Sequence, residues 1–191
     1  MAPLSDTLWN FVPSMSTFQS KLLTAFGPIC TRQHFSKNEQ LQVAGKVGRR
    51  LYLIEAGIMR AYYLLEGREV TAHFAVAGES ITAPDSFMLG LPSRYFIEPL
   101  ADTVAYVIER QALEGYLDRH PEFERLARRY TEHVYVDLLR RSESLTFLSA
   151  RERYANLLRD RPEILELAPL GQVASYLGMS QETLSRARSE R

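Results

Sequence analysis

Apolar residues along this chain follow two rhythms, and the change falls near residue 110. Before it, short apolar runs are divided by glycine turns. Leu51 to Ile54 leads into Glu55-Ala56-Gly57, Ile58 to Leu65 into Glu66-Gly67-Arg68, and Glu69 to Val76 into Ala77-Gly78-Glu79. Thr103 to Ile108 is a further β-rich run. Glycine supplies the positive φ that tight turns require. Such turn signals, spaced closely between short apolar runs, predict an antiparallel sandwich or barrel.

After residue 110 the period becomes helical. Pro121 suits the first turn of a long helix, where its missing N–H costs nothing. Along that helix Phe123, Ala127, Tyr130, Val134 and Leu138 recur at steps of three or four. Arg128, Arg129, Glu132, Asp137, Arg140 and Arg141 lie largely off that stripe. The stripe either faces the core or forms a dimer seam, and periodicity alone does not separate the two. The seam is the expectation carried forward. Ser149-Ala150-Arg151-Glu152 has the capping-box pattern, so a new helix is predicted there, stopping before Pro162.

The most informative segment is Leu170 to Arg188, LGQVASYLGMSQETLSRAR. It reads as a helix-turn-helix. Ala174 is small where two helices cross, and Gly178 takes the left-handed turn that ends the first. Val173, Leu177, Met179 and Leu184 supply apolar contacts, and Ser180 is a natural N-cap for the second helix. Gln181, Glu182, Ser185 and Arg186 then fall on its outer, N-terminal side, the part that enters a major groove. Ser180 and Thr183 complete the expected DNA-binding set. The competing account is an ordinary helical hairpin with a glycine turn.

Composition narrows the function. An apolar fraction of 46% over 191 residues fits one large domain, or a medium and a small one. No apolar run is long enough for a membrane helix, and Met1 to Phe11 lacks the pattern of a signal peptide, so a cytoplasmic protein is expected. Cys30, the only cysteine, cannot form an internal disulfide or ligate an iron–sulfur cluster alone. Twenty-three basic and 23 acidic side chains leave no net charge, which argues weakly against a nucleic-acid partner. His34, His73, His120 and His133 show no metal-ligand spacing, and no nucleophile elbow, P-loop or dinucleotide fingerprint is present. No enzyme, metal or cofactor is expected, and a cupin-type barrel enzyme lacks its ligand histidines.

The order of a glycine-punctuated roll, a long helix and a terminal helix-turn-helix resembles the CRP/FNR superfamily of transcription regulators. Ile54-Glu55-Ala56-Gly57 resembles that family's Ile-x-x-Gly turn. Glu182, Ser185 and Arg186 resemble the Glu-x-x-Ser-Arg reading set of the FNR branch. The resemblance covers roughly residues 25–191 and implies an α+β chain. Its parts would be an antiparallel, jelly-roll-like β-roll sensor over 1–112, a dimerisation helix over 113–147 and a helix-turn-helix domain over 148–191. It also implies a homodimer binding an inverted repeat in double-stranded DNA, with an unidentified small-molecule effector and RNA polymerase as further partners. The chain ends soon after the second helix, so a wing beyond it is not expected.

The sensor half departs from the cyclic-nucleotide pattern. Ala83 stands where the family's ribose-binding glutamate would be, Thr82 replaces the preceding glycine, and Tyr95 and Phe96 follow Arg94 where small residues belong. Nucleotide binding is therefore not expected. An effector pocket, if built from this cassette, would use Gly78, Glu79, Ser80, Arg94 and Tyr95. Tyr62, Tyr63, Phe74, Phe87, Tyr95 and Phe96 are expected to fill the core of the roll or line an apolar pocket. The second functional reading is a metabolite-binding signalling module whose C-terminal helices contact a protein.

Overall fold

The computed structural model describes residues 15–189; the Met1–Phe11 stretch read for a leader lies outside the described residues. Helix α1 (Met15–Phe26) leads into strands β1 (Cys30–Phe35), β2 (Arg50–Ala56), β3 (Ile58–Leu65), β4 (Arg68–Val76) and β5 (Ser80–Ile81). Helix α2 (Pro84–Leu89) interrupts the strands before β6 (Phe96–Pro99) and β7 (Thr103–Glu109). Among the described residues only helices follow: α3 (Arg110–Arg119), α4 (Glu124–Phe147), α5 (Ala150–Asp160), α6 (Pro162–Leu167), α7 (Leu170–Tyr176) and α8 (Gln181–Ser189).

Two antiparallel sheets make the roll, one ordered β1-β7-β2-β5 and the other β4-β3-β6. The expected glycine turns are present. Gly57, Gly67 and Gly78 all have positive φ, and Gly57 is also crowded, because a Cβ there would lie 2.5 Å from Thr103 Oγ1 and 2.7 Å from the Asp102 carbonyl. Strand alternation divides the side chains. Tyr52 and Ile54 enter the interior of the roll with Met59, Ala75 and Ile97, whereas Leu53 and Ile108 face outward onto α1 and α3.

The sheet β4-β3-β6 is covered on its outer side by the terminal helices. Ile58, Phe74 and Val76 share one apolar core with Tyr154, Leu157, Ile164, Val173 and Leu184. Phe74, expected inside the roll, is therefore buried at its junction with the helical region. Tyr62 and Phe96 stack with ring centroids 5.0 Å apart, and Tyr95 meets Tyr63 edge-on.

Pro121–Phe123 forms a single 3-10 turn that runs into α4. At α5 the Glu152 N–H donates to Ser149 Oγ (3.3 Å) while the Ser149 N–H donates to the Glu152 carboxylate (2.8 Å), closing the capping box. That helix ends at Asp160, and Pro162 begins the short α6.

Candidate nucleic-acid interface and effector cavities

Helices α7 and α8 form the predicted helix-turn-helix, and local chemistry explains the turn. The Met179 N–H donates to the Ala174 carbonyl (3.0 Å) and the Gly178 N–H to that of Ser175 (3.1 Å), with Gly178 at φ +63°. This pair of bonds is the Schellman arrangement that ends a helix on a glycine. Ser180 then caps α8, its Oγ accepting from the Thr183 N–H at 3.2 Å.

The faces of α8 separate cleanly. Leu184 and Ala187 are buried against the helical core, while Gln181, Glu182, Ser185 and Arg186 are exposed and Thr183 is half-buried. The Ser180 hydroxyl holds the Glu182 carboxyl below the usual carboxylate range, so it is ionised at neutral pH. Arg186 keeps its guanidinium at the surface, 3.5 Å from Thr183 Oγ1. The side chains expected to meet DNA thus share one solvent-facing surface.

Helix α7 is docked on the roll by polar as well as apolar contacts. The Thr71 N–H donates to Ser175 Oγ (3.0 Å), and Arg141 lies 3.9 Å over the Tyr176 ring. Arg161 donates to the Phe74 carbonyl (2.8 Å), to Tyr176 Oη (3.1 Å) and to the Glu79 carboxylate. A cavity of about 370 Å³ at this junction is lined by His73, Glu79, Ser80, Arg141, Arg161 and Tyr176, among others. Burial, with the charges of Arg161 and Arg141, pushes the His73 imidazole down to about 3. Burial pushes the Glu79 carboxyl up, against the opposing pull of Arg161.

The structure divides the five residues expected to line an effector pocket. Glu79 and Ser80 line the junction cavity, beside the turn at Gly78. Arg94 and Tyr95 are not in its walls. Arg94 is exposed, with its N–H donating to Asp85 at 3.1 Å, and Tyr95 packs on the interior of the roll. The reason is topological: Ser80 enters the four-stranded sheet, whereas Tyr95 leads into β6 of the other. Ala83 is buried, and it borders a separate opening of about 410 Å³ with Gln42, Gly48, Arg50 and Tyr52. No carboxylate stands at the Ala83 position to bind a ribose.

The expected dimer seam also divides. Phe123, Ala127 and Tyr130 pack inward on the cluster around Phe26 and Tyr116, Phe123 stacking on Tyr116 at 5.8 Å. Tyr130 donates its hydroxyl to Ser80 Oγ, and burial pushes that phenol up to about 12. These three side chains are half-buried against the roll's own apolar cluster within a single chain. Val134 is half-buried and Leu138 is 53% exposed. The exposed apolar residues of α4 overlap the expected stripe only at Leu138 and otherwise are Tyr135 (61%), Leu139 and Leu145. Tyr135, Leu139 and Leu145 lie outside the single stripe that the periodicity predicts. Sequence reasoning missed Arg161 and Tyr176, whose role appears only where α7 meets β4.

Among the described residues, no group of three or more His, Cys, Asp or Glu could hold a metal ion, and no helix is long and apolar enough to cross a membrane.

Residues 32–120 match the family model of the cyclic nucleotide-binding domain. No curated protein sequence matches the chain. Among solved structures it is similar to FixK2 from Bradyrhizobium japonicum, with 24% identity, a TM-score of 0.68, and coverage of 85% of this chain and 84% of that one. It is similar to CLP, the c-di-GMP-responsive global regulator of Xanthomonas campestris, with 16% identity, a TM-score of 0.66 and 90% of each chain covered. A protein from Eubacterium rectale assigned to the CRP/FNR family of transcriptional regulators shares 22% identity, with a TM-score of 0.58 over 96% of this chain and 85% of that one. Identities this low establish a shared fold.

Proposed function

We propose, from the premise of a chain that carries a cyclic nucleotide-binding domain within the fold of the CRP/FNR regulators, that this protein is a homodimeric, sequence-specific DNA-binding transcription regulator of the cytoplasm and not an enzyme. The observation that carries the reading is the exposed polar face of α8 on a buried apolar base. Glu182, ionised at neutral pH, can accept from a cytosine amino group. Arg186 can donate to guanine or to phosphate, and Ser185 can meet a base edge or a thymine methyl. Ser180, Gln181 and Thr183 flank them at the N-terminal end, which is the end that enters the groove in this motif.

The exposed Tyr135, Leu138, Leu139 and Leu145 support a parallel pairing of two α4 helices as the dimer seam. A two-fold dimer would set two α8 helices about one DNA turn apart, so the site is an inverted repeat. By resemblance to the FNR branch, TTGA is the first half-site to test. Ala83 and the bulky Tyr95 and Phe96 favour an effector other than a cyclic nucleotide. RNA polymerase is the expected partner if the protein activates. A gel shift against a pool of inverted-repeat duplexes should give a retarded complex enriched for one half-site. If no duplex shifts while small metabolites bind the protein, a signalling module that contacts another protein takes the place of this reading.

A further inference from the structure

A third cavity lies on the opposite side of β2 from the interior of the roll. Along that strand Tyr52 and Ile54 point inward, while Leu51 and Leu53 point out beneath α4. The outward space is a partly open recess with a volume of about 270 Å³, lined by Phe26, Phe87, Met88, Leu117, Ala127 and Val134 as well as by the two leucines. None of the described residues lining it is charged. Its polar groups are the hydroxyls of Ser80, Thr82, Tyr130 and Thr131. Tyr130 donates to Ser80 Oγ, and Thr82 Oγ1 donates to the Arg50 carbonyl at 2.8 Å. The Ser80 hydroxyl proton and the Thr82 oxygen therefore remain able to serve a guest.

Protein interiors are close-packed, and an apolar recess of this size leaves its lining side chains without the neighbours they would have in a packed core. An apolar cavity of about 150 Å³ in another protein takes up benzene. This one has room for a molecule nearly twice that size. Met88, at 53% exposure, sits in the wall as a flexible side chain through which a guest can enter.

We infer that this cavity binds a small uncharged apolar molecule bearing one hydroxyl or carbonyl, such as an alkylphenol or a medium-chain alcohol. An apolar wall selects the hydrocarbon body, the hydroxyl group of side chains orients its single polar end, and the lack of a basic residue rejects an anion. Four wall residues, Ala127, Tyr130, Thr131 and Val134, belong to α4. Occupancy therefore bears on the helix that joins the roll to the helix-turn-helix. That regulatory consequence rests on the proposed DNA-binding function, whereas the binding does not.

The test uses the full chain and 4-propylphenol, with 4-propylbenzenesulfonate as the anionic analogue. Calorimetry should give saturable binding of the phenol, at least about tenfold tighter than the sulfonate. NMR should show intermolecular contacts from the propyl group to the methyls of Met88 and Val134. Ala127→Leu, which fills the cavity, should weaken the phenol about tenfold. If that variant does not fold, the NMR contacts and the sulfonate comparison decide alone. Absence of saturable binding, contacts elsewhere on the protein, or equal binding of the sulfonate would overturn the proposal. DNA binding is measured on the same sample. A protein that binds DNA but not the phenol loses only the cavity proposal, and one that binds the phenol but no DNA keeps the cavity and loses the regulator.

Discussion

The Arg161 guanidinium and the Glu79 carboxylate form an ion pair that ties the link between α5 and α6 to the turn closing β4. Both side chains are about four-fifths buried, at 20% and 19% exposure, and Arg161 also holds the Phe74 carbonyl. Removing one partner of such a pair leaves the other charge desolvated and uncompensated. Arg161→Ala should therefore cost about 3 kcal/mol of stability by urea unfolding. It should also make α5–α8 more sensitive to limited proteolysis than the roll. Unchanged stability and digestion would show that the apolar core alone holds the helices on β4.

His73 gives the stability a pH dependence. Its folded-state pKa is pushed down to about 3, and in the unfolded chain it titrates near 6.5. Above pH 6.5 the group is neutral in both states and its contribution is complete. Between about 6.5 and about 3 the unfolded chain binds the extra proton, so stability falls by about 1.4 kcal/mol per pH unit from this group. Glu79 acts in the opposite sense, because its raised pKa makes the native state gain stability as pH falls through that pKa. The readout is therefore the difference between wild type and His73→Gln in urea unfolding from pH 7.5 to 4.5. The variant should lose the His73 slope, and equal slopes would mean that this imidazole titrates normally.

Dimerisation should depend on the outer face of α4 and not on the inner one. Tyr135→Glu with Leu138→Glu should give a folded monomer by light scattering, with an unchanged far-UV spectrum. Tyr130→Glu should instead destabilise the fold, because the new charge is buried beside Ser80. A dimer that survives the Tyr135 and Leu138 changes would place the seam elsewhere.

On DNA, Glu182→Ala should relax preference at one base pair, costing about 1–3 kcal/mol on the preferred site by fluorescence anisotropy. Arg186→Ala separates two roles. A base contact would weaken the preferred duplex selectively, whereas a phosphate contact would weaken all duplexes alike and lower the salt slope. If neither substitution changes binding to any duplex, α8 is not the reading helix.

Local signals carried much of this molecule. Gly57, Gly67 and Gly78 marked turns because only a residue without a Cβ takes positive φ cheaply, and Gly178 with Ser180 marked the turn of the helix-turn-helix for the same reason and for a cap. Ser149 and Glu152 announced α5 through bonds made within four residues. Short helices such as α2 and α6, and the strands β1 and β6, carried weaker periodicity and were not anticipated, since neighbours rather than sequence hold them in place.

What the sequence determined by itself was the set of faces: the alternation of each strand, the apolar base and polar front of α8, and an apolar stripe along α4. Which face meets which partner was decided only in three dimensions. Phe123, Ala127 and Tyr130 turn toward Phe26 and Tyr116, leaving Tyr135 and Leu138 outside, and Arg161 meets Glu79 across 82 residues of chain. Periodicity reports the direction of a side chain relative to its own helix or strand. The burial, partner and pKa of that side chain depend on distant segments brought beside it by packing.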